Sequence, residues 1–314
     1  MQNNIISKLL SLLRNDTSMK KDLEIRSLIG KNILIKKRND YLNFKSINDA
    51  EEKFFSQNGE DGIIDYILEI LNVKDPKFIE IGVEDYIEAN TRLLYHIRNS
   101  LGLIVDQSID INKLSKNLDL WKGRIKVLKK SVTPKNINEI INYENFNKDL
   151  DLFSIDIDGL DYWVIKELPA NFAKICIAEY NPLFGSENEI TVPNIENFDR
   201  TNYHYSNLCW GVSLKGLINL MNEKNFTFLG TNNFKNNAFF INRDFEQLFK
   251  KIILDKNIEL ENYTNHKFQE SRHKHGNLTY LSRKEQIEEI KDCQVVNINN
   301  SLTEKVKLSE LIKN

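Results

Sequence analysis

Five short stretches of this chain are apolar on both faces: "KFIEIGV" (77–83), "GLIVD" (102–106), "RIKVLK" (124–129), "LDLFSIDI" (150–157) and "KICIAEY" (174–180). Such strands need cover on both sides, which parallel strands receive from crossover helices. Helical patterns at 88–99, 110–119, 134–144 and 159–168 fall between them, and another at 213–224 follows. Two further strands, "FTFLGT" (226–231) and "NAFFIN" (237–242), are separated by a short turn, so they should pair antiparallel. The expected fold is α/β, a Rossmann-like, doubly wound sheet of seven strands ending in an antiparallel hairpin.

What flanks that core is less regular. Residues 1–50 read as an N-terminal helical extension, 51–250 as the catalytic-type domain and 251–314 as a small C-terminal appendage. Within the appendage, Ser282 and Glu285 have capping-box spacing, and "CQVVNIN" reads as a strand. At the domain's start, "FFSQNGEDGIIDYILEILN" opens a helix that Ser56 can cap, with Glu60 and Asp61 in its first turn. Near the N-terminus Ile5, Ile6, Leu9, Leu10 and Leu13 recur at helical spacing without a continuous apolar core. That stretch is expected to dock on the domain, or else to contact a partner or a membrane surface.

Charge and cysteines narrow the setting. Lys+Arg 43 against Asp+Glu 45 leaves a net charge of −2, with no global pull toward nucleic acid or anionic lipid. No stretch is long and apolar enough to be a transmembrane segment. Cys176, Cys209 and Cys293 stand singly, as expected of reduced thiols in a cytoplasmic protein, with Cys176 a small core hydrophobe.

Ligands of open α/β sheets bind beyond the carboxyl ends of the strands. Those ends here read Gly82-Val83-Glu84-Asp85, Asp106-Gln107, Asp156-Ile157-Asp158-Gly159 and Glu179-Tyr180-Asn181. The first turn carries one glycine and two acids, where a diphosphate would want glycines and exposed amides. Asp106 lies where an acid binds a ribose diol. Together they favour a cofactor with a nucleoside and a positive centre, and S-adenosylmethionine fits better than NAD or ATP.

The blocks "FSQNGEDGIIDYIL", "FIEIGVEDYIEANTRLL", "DLFSIDIDGLDYWVIKEL", "IAEYNPLFG" and "NAFFINRD" resemble the FkbM-like methyltransferases, in particular the bacterial glycan-associated branch. The likeness spans residues 53–245, with a weaker trace at 270–282. It implies a class I methyltransferase domain at 51–250, S-adenosylmethionine as methyl donor, and O-methylation of a hydroxyl on a sugar, sugar nucleotide or surface-glycan precursor. Gln57, Glu80, Gly82, Asp106 and Asp156 are then the expected cofactor-binding residues. Where the family shows a second glycine this chain has Tyr86, which costs roughly 1–2 kcal/mol if the position needs positive φ. The alternative is a catalytically degenerate binding module of a glycan-assembly complex.

Asp156 and Asp158 leave one strand on the same side, and Glu179 and Asn181 end its expected neighbour. This resembles the metal-dependent catechol-type O-methyltransferases. Asp158, Glu179 and Asn181 are oxygen donors suited to Mg²⁺ or Ca²⁺, while a metal-free polar site or simple helix capping would use the same residues. Asp158, Glu179 and His204 are the candidate catalytic groups, His204 because imidazole titrates near neutral pH. His273 and His275 share a side of a strand but lack evident co-ligands.

Overall fold

The computed structural model describes residues 2–253, 260–264, 270–299 and 304–311, residues 2–19 and 261 by backbone alone. The central sheet uses β1 (Lys77–Ile81), β2 (Leu101–Val105), β3 (Ile125–Leu128), β4 (Leu152–Ile155), β5 (Ile175–Glu179), and, after the short β6 (Ile190–Thr191) outside it, β7 (Phe226–Thr231) and β8 (Asn237–Asn242). Its order is β3-β2-β1-β4-β5-β8-β7. Strands from β3 through β5 pair parallel, whereas β8 runs antiparallel to both β5 and β7. The expected hairpin is therefore present, with its second strand inserted beside β5. The sheet is the expected doubly wound Rossmann-like one, and its switch point lies between β1 and β4.

Alternation along each strand sends side chains to two cores. Ile79, Ile81, Leu103, Val105, Phe153 and Cys176 face α5 (Ile137–Ile141), α6 (Asp161–Glu167) and α8 (Leu214–Glu223). Phe78, Ile104, Leu152, Ile175 and Ile177 face α2 (Glu60–Ile70), α3 (Arg92–Ile97) and α4 (Ile111–Asn117). Cys176 is fully buried, as expected, and all three cysteines are free.

Three helix boundaries differ from expectation for local reasons. The helix expected at 134–144 ends at Ile141, because Glu144 and Asn145 take left-handed φ of 45° and 59°. The helix expected from 88 starts at Arg92, because the preceding loop is tied to Glu80 (below). Ser56 is not the N-cap of α2, a place taken by Gly59 at φ 99°. Its hydroxyl still accepts from the Asp61 amide at 3.1 Å, and Asp61 Oδ2 accepts in return from the amides of Phe54, Phe55 and Ser56 at 2.6–2.8 Å.

The flanking segments are joined to this core. α1 (Gln2–Lys37) contributes Leu23 and Leu34 to a small cluster with Phe55 and Leu93. The apolar residues first noticed at 5–13 lie outside the described side chains. Residues 38–50 reach further in: Tyr41, Ile47 and Ala50 join the main core, and Arg38 and Arg98 both bind the buried Asp65 at 2.6–2.9 Å. In the C-terminal part, the strand Gln294–Asn297 pairs with β6 and with Lys305–Lys307, and the Ser282–Glu285 capping box is formed. No helix among the described residues is long and apolar enough to cross a membrane.

Candidate functional site

The first turn, residues 82–91, is built on strained backbone and buried braces. Gly82 has φ +82°, and a Cβ there would lie 1.6 Å from the Asp156 carbonyl oxygen. The glycine is thus demanded by the β4 backbone itself. Glu84 and Tyr86 follow with φ of 48° and 57°, conformations costly for residues with a Cβ. Tyr86 meets that cost while fully buried. Its ring lies 5.3 Å from the Arg92 guanidinium, and its hydroxyl lies 2.8 Å from Thr91 Oγ1. It packs into the core and does not narrow the strand-end crevice.

Glu80 holds this loop from below. Its carboxylate accepts from the amides of Asn90 at 2.7 Å and Thr91 at 2.9 Å and from the Thr91 hydroxyl at 2.5 Å, and burial pushes its pKa up to about 7. Glu80 is buried beneath the loop that it holds, so it shapes the cradle from below, where a direct cofactor contact was expected of it. Asp106, half-buried at the end of β2, accepts from the Glu84 amide at 2.9 Å and from Ser108 at 2.7 Å. The glycine turn and the β2 acid are therefore joined. Gln57 is exposed.

Beyond β4 and β5 the acids converge. One carboxylate oxygen from each of Asp156, Asp158 and Glu179 lies within 4.8 Å of the others. Burial, then the charges of Asp158 and Asp161, raise Asp156 well above the ordinary carboxyl range; burial, then Asp156, do the same to Glu179. Glu179 is buried and its Oε2 has no hydrogen-bond partner. A buried carboxylate oxygen without a donor is costly, so a ligand or ion here would complete it. Three carboxylates and an open oxygen suit a hard divalent cation.

Asn181, expected as a metal ligand, has another task. Its amide donates to the carbonyls of Leu208 and Trp210, both at 2.9 Å, and its oxygen accepts from the Leu183 amide at 3.0 Å. It fixes the loop after β5, and Asp156 takes its place in the acid group. His204 also lies apart in its bonding, with Nδ1 2.7 Å from the Ser206 hydroxyl and its ring 4.3 Å from that of Tyr205. The rings of His273 and His275 are 5.2 Å apart on an exposed turn, and among the described residues no third ligand joins them.

Two site residues escaped the sequence reading. Arg200, on the short α7 (Arg200–Tyr203), places Nη1 2.5 Å from Asp158 Oδ1. It is the built-in counter-charge of the cluster, 42 positions away in the chain. Asp161 accepts from the amides of Ile157 at 3.0 Å and Gly159 at 3.1 Å, bending the Asp156–Gly159 loop, and burial pushes it up to about 6. Only Asp161 left a sequence signal, an acid opening a helix just after a glycine. Asp158 itself sits at φ 55°, a strained conformation that lifts it from the strand's line toward α7.

No protein-family model matches this chain, and no curated protein matches it. Among solved structures, an O-methyltransferase family protein from Burkholderia thailandensis is 10% identical with a TM-score of 0.35, covering 70% of each chain. A putative O-methyltransferase from Nostoc punctiforme is 11% identical with a TM-score of 0.34, covering 69% of this chain and 72% of that one. A fibrillarin/Nop5p complex is 14% identical with a TM-score of 0.32, covering 53% and 71%. Likeness at that level says nothing of activity, which has to be read from the side chains.

Proposed function

We propose that this chain binds S-adenosylmethionine across the Gly82 turn and Asp106, and transfers its methyl group to a hydroxyl of a sugar, sugar nucleotide or surface-glycan precursor. The carrying observation is the collision-tight packing of Gly82 on the Asp156 carbonyl. That contact sets the cradle, the Asp106 carboxylate and the three-acid cluster side by side on one edge of the sheet. What supports the acceptor class is the resemblance of the FkbM-like blocks, together with a floor rich in hydrogen-bond acceptors.

When bound, the cofactor supplies an electrophilic methyl carbon on a positive sulfur. Asp106 retains lone pairs for a ribose diol beyond those used by Glu84 and Ser108. Glu179, raised by burial and by the charge of Asp156, would accept the acceptor's hydroxyl proton. Alignment of the two reactants in the crevice supplies most of the rate. A Mg²⁺ ion would be held by Asp156, Asp158 and Glu179, and would lower the hydroxyl's pKa.

The test is transfer of a labelled methyl group to nucleotide sugars and glycan precursors. Turnover on one of them is expected, with Glu179→Gln reducing it by at least about a hundredfold while cofactor affinity holds. Loss of turnover with chelator, restored by Mg²⁺, is the metal-dependent outcome. Cofactor binding without transfer to any acceptor would favour the non-catalytic module. One observation fits that second reading: two clefts, of about 360 and 250 Å³, lie between α1 and the amino ends of the strands, where a partner could be held away from the acids.

A further inference from the structure

Two of the three cysteines meet across the fold. Cys209 lies in the loop after α7, and Cys293 between the helix Arg283–Ile290 and the strand Gln294–Asn297. Both are buried in one apolar cluster with Leu183, Leu208, Ile290 and Val295, and their thiols share a hydrogen bond. Each sulfur is carried on fixed backbone. The carbonyls of Leu208 and Trp210, on either side of Cys209, accept from the Asn181 side chain at 2.9 Å. The Cys293 amide donates to the Ile290 carbonyl at 2.9 Å, and the Cys293 carbonyl accepts from the Leu308 amide at 3.0 Å. Cys176 sits in the other core, on β5, where burial alone acts on its thiol and pushes it up.

The two thiols of the pair are not equivalent. Cys209 is wholly buried, and its hydrogen bond to Cys293, then burial, push it up. Cys293 keeps 7% of its surface exposed and is held below the ordinary thiol range. The Cys209 hydrogen bond does most of this and, against burial, a hydrogen bond and the charge of His204 add to it. His204 is oriented by the buried Ser206, whose hydroxyl lies 2.7 Å from Nδ1. A thiolate-prone sulfur at the rim, backed by a buried thiol, is the arrangement in which an oxidised cysteine is resolved to a disulfide. Two cysteines and a histidine could also serve a metal. Among the described residues, however, only Asp156, Asp158 and Glu179 gather closely enough to hold one. Neighbouring contacts show what a bridge would fasten. The Tyr203 hydroxyl donates to the Gln294 carbonyl at 2.5 Å, and the Tyr205 hydroxyl to the Glu289 carboxylate. The C-terminal segment is thus already laid against α7, the helix bearing Arg200, and the loop that follows it.

We propose that Cys293 and Cys209 form a redox clasp, in which a hydroperoxide oxidises the pair to a disulfide that locks the C-terminal segment onto the α7 loop. The Cys293 thiolate attacks one peroxide oxygen. The sulfur–oxygen bond forms, the oxygen–oxygen bond breaks, and the departing hydroxide leaves as water with a proton from His204. His204 then takes the Cys209 proton, and the Cys209 sulfur attacks that of Cys293. The sulfur–sulfur bond forms as the sulfur–oxygen bond breaks, and the second hydroxide leaves as water with that same proton. Two thiols and one peroxide become one disulfide and two waters. In a reducing compartment such a bridge is transient, which suits a sensor of oxidant. The clasp is independent of what the strand-end edge binds.

The test treats the full chain with a small excess of hydrogen peroxide, quenches it with catalase, and maps the thiols by mass spectrometry of a non-reduced digest. Free thiols should fall from three to one, with Cys209 and Cys293 joined within one chain and Cys176 untouched. Dithiothreitol should reverse the change, and the bridged form should melt at least about 5 °C above the reduced one. In Cys209→Ser the reaction should stop at a Cys293 sulfenic acid, which dimedone captures. His204→Gln should slow bridge formation at least about fivefold near neutral pH, because less of Cys293 is then thiolate. If Cys209→Ser fails to fold, the wild-type digest decides the matter by itself. Three free thiols after treatment overturn the proposal, as does a bridge that includes Cys176 or joins two chains. A bridged form no more stable than the reduced one equally overturns the clasp, and a His204→Gln rate equal to wild type overturns the part given to His204.

Discussion

Replacing Gly82 by alanine adds one methyl group at the tightest point of the proposed cradle. Two costs follow, and both can be sized. The backbone holds φ +82°, which charges a residue with a Cβ about 1–2 kcal/mol. The new carbon would lie 1.6 Å from the Asp156 carbonyl oxygen, so β1 and β4 must separate at their carboxyl ends. Overpacking of that kind adds about 1–3 kcal/mol. The sum, about 2–5 kcal/mol, is a large share of the roughly 5–15 kcal/mol typical of domain stability. Gly123 provides the control, since it has φ +68° and nothing within 4 Å of its would-be Cβ, so alanine there incurs the backbone cost alone. Urea denaturation of wild type, Gly82→Ala and Gly123→Ala followed by circular dichroism measures the difference directly. Gly82→Ala should be the less stable variant by at least about 1 kcal/mol and should lose cofactor affinity, because the turn and Asp106 move together. Equal destabilisation by the two alanines would refute the close approach of β1 and β4 as the reason for the glycine.

Tyr86→Phe removes the hydroxyl contact with Thr91 but keeps the ring on Arg92, so it should cost about 1 kcal/mol in denaturation and leave cofactor affinity unchanged by calorimetry. Arg200→Gln removes the cation that competes for Asp158 Oδ1, so Mn²⁺ should bind about three- to fivefold more tightly in a direct titration, the measure of a solvent-accessible ion pair. His96 is half-buried, stacks on Phe55 with ring centroids 5.0 Å apart and accepts from Arg92 Nε at 3.1 Å; desolvation, then the charge of Arg92, lower its pKa to about 3. Between about pH 6.5 and 3 the unfolded chain holds this proton and the folded one does not, so His96 erodes stability as pH falls, by up to about 1.4 kcal/mol per pH unit. Denaturation across that range should show a shallower acid loss for His96→Gln than for wild type, and parallel curves would contradict the assignment.

The strands were legible because burial on both faces leaves a local mark, an apolar run that no other common element needs. The places of Gly82 and Asp106 were legible for a related reason: both stand at strand ends, and strand ends can be counted along the chain. What stayed hidden depends on partners distant in sequence. Nothing near Asp158 announces Arg200, and nothing near Asn181 shows that its amide will be consumed by the carbonyls of Leu208 and Trp210. Tyr86 was visible as an oddity, but whether it fills the crevice or the core turns on one backbone angle, which the residue type does not reveal. The network of Glu60 with Asn232 and Asn237, at 2.7 and 2.8 Å, is a further case: the asparagines look like surface polarity in sequence, yet all three residues are buried. They join the start of α2 to the strand beside Glu179, 172 and 177 positions apart.

The edge bearing Gly82 and Asp106 is proposed to hold a nucleoside with a positive sulfur or its demethylated product. Isothermal titration of the full chain with S-adenosylhomocysteine, beside the Asp106→Ala variant and with ATP and NAD as competitors, tests it most directly. The account predicts one site per chain, at least a tenfold loss of affinity in Asp106→Ala, the measure of about 1.4 kcal/mol from a lost pair of charge-assisted hydrogen bonds, and no displacement by ATP or NAD. Undetectable binding by the wild type, or binding that Asp106→Ala leaves unchanged, would contradict it.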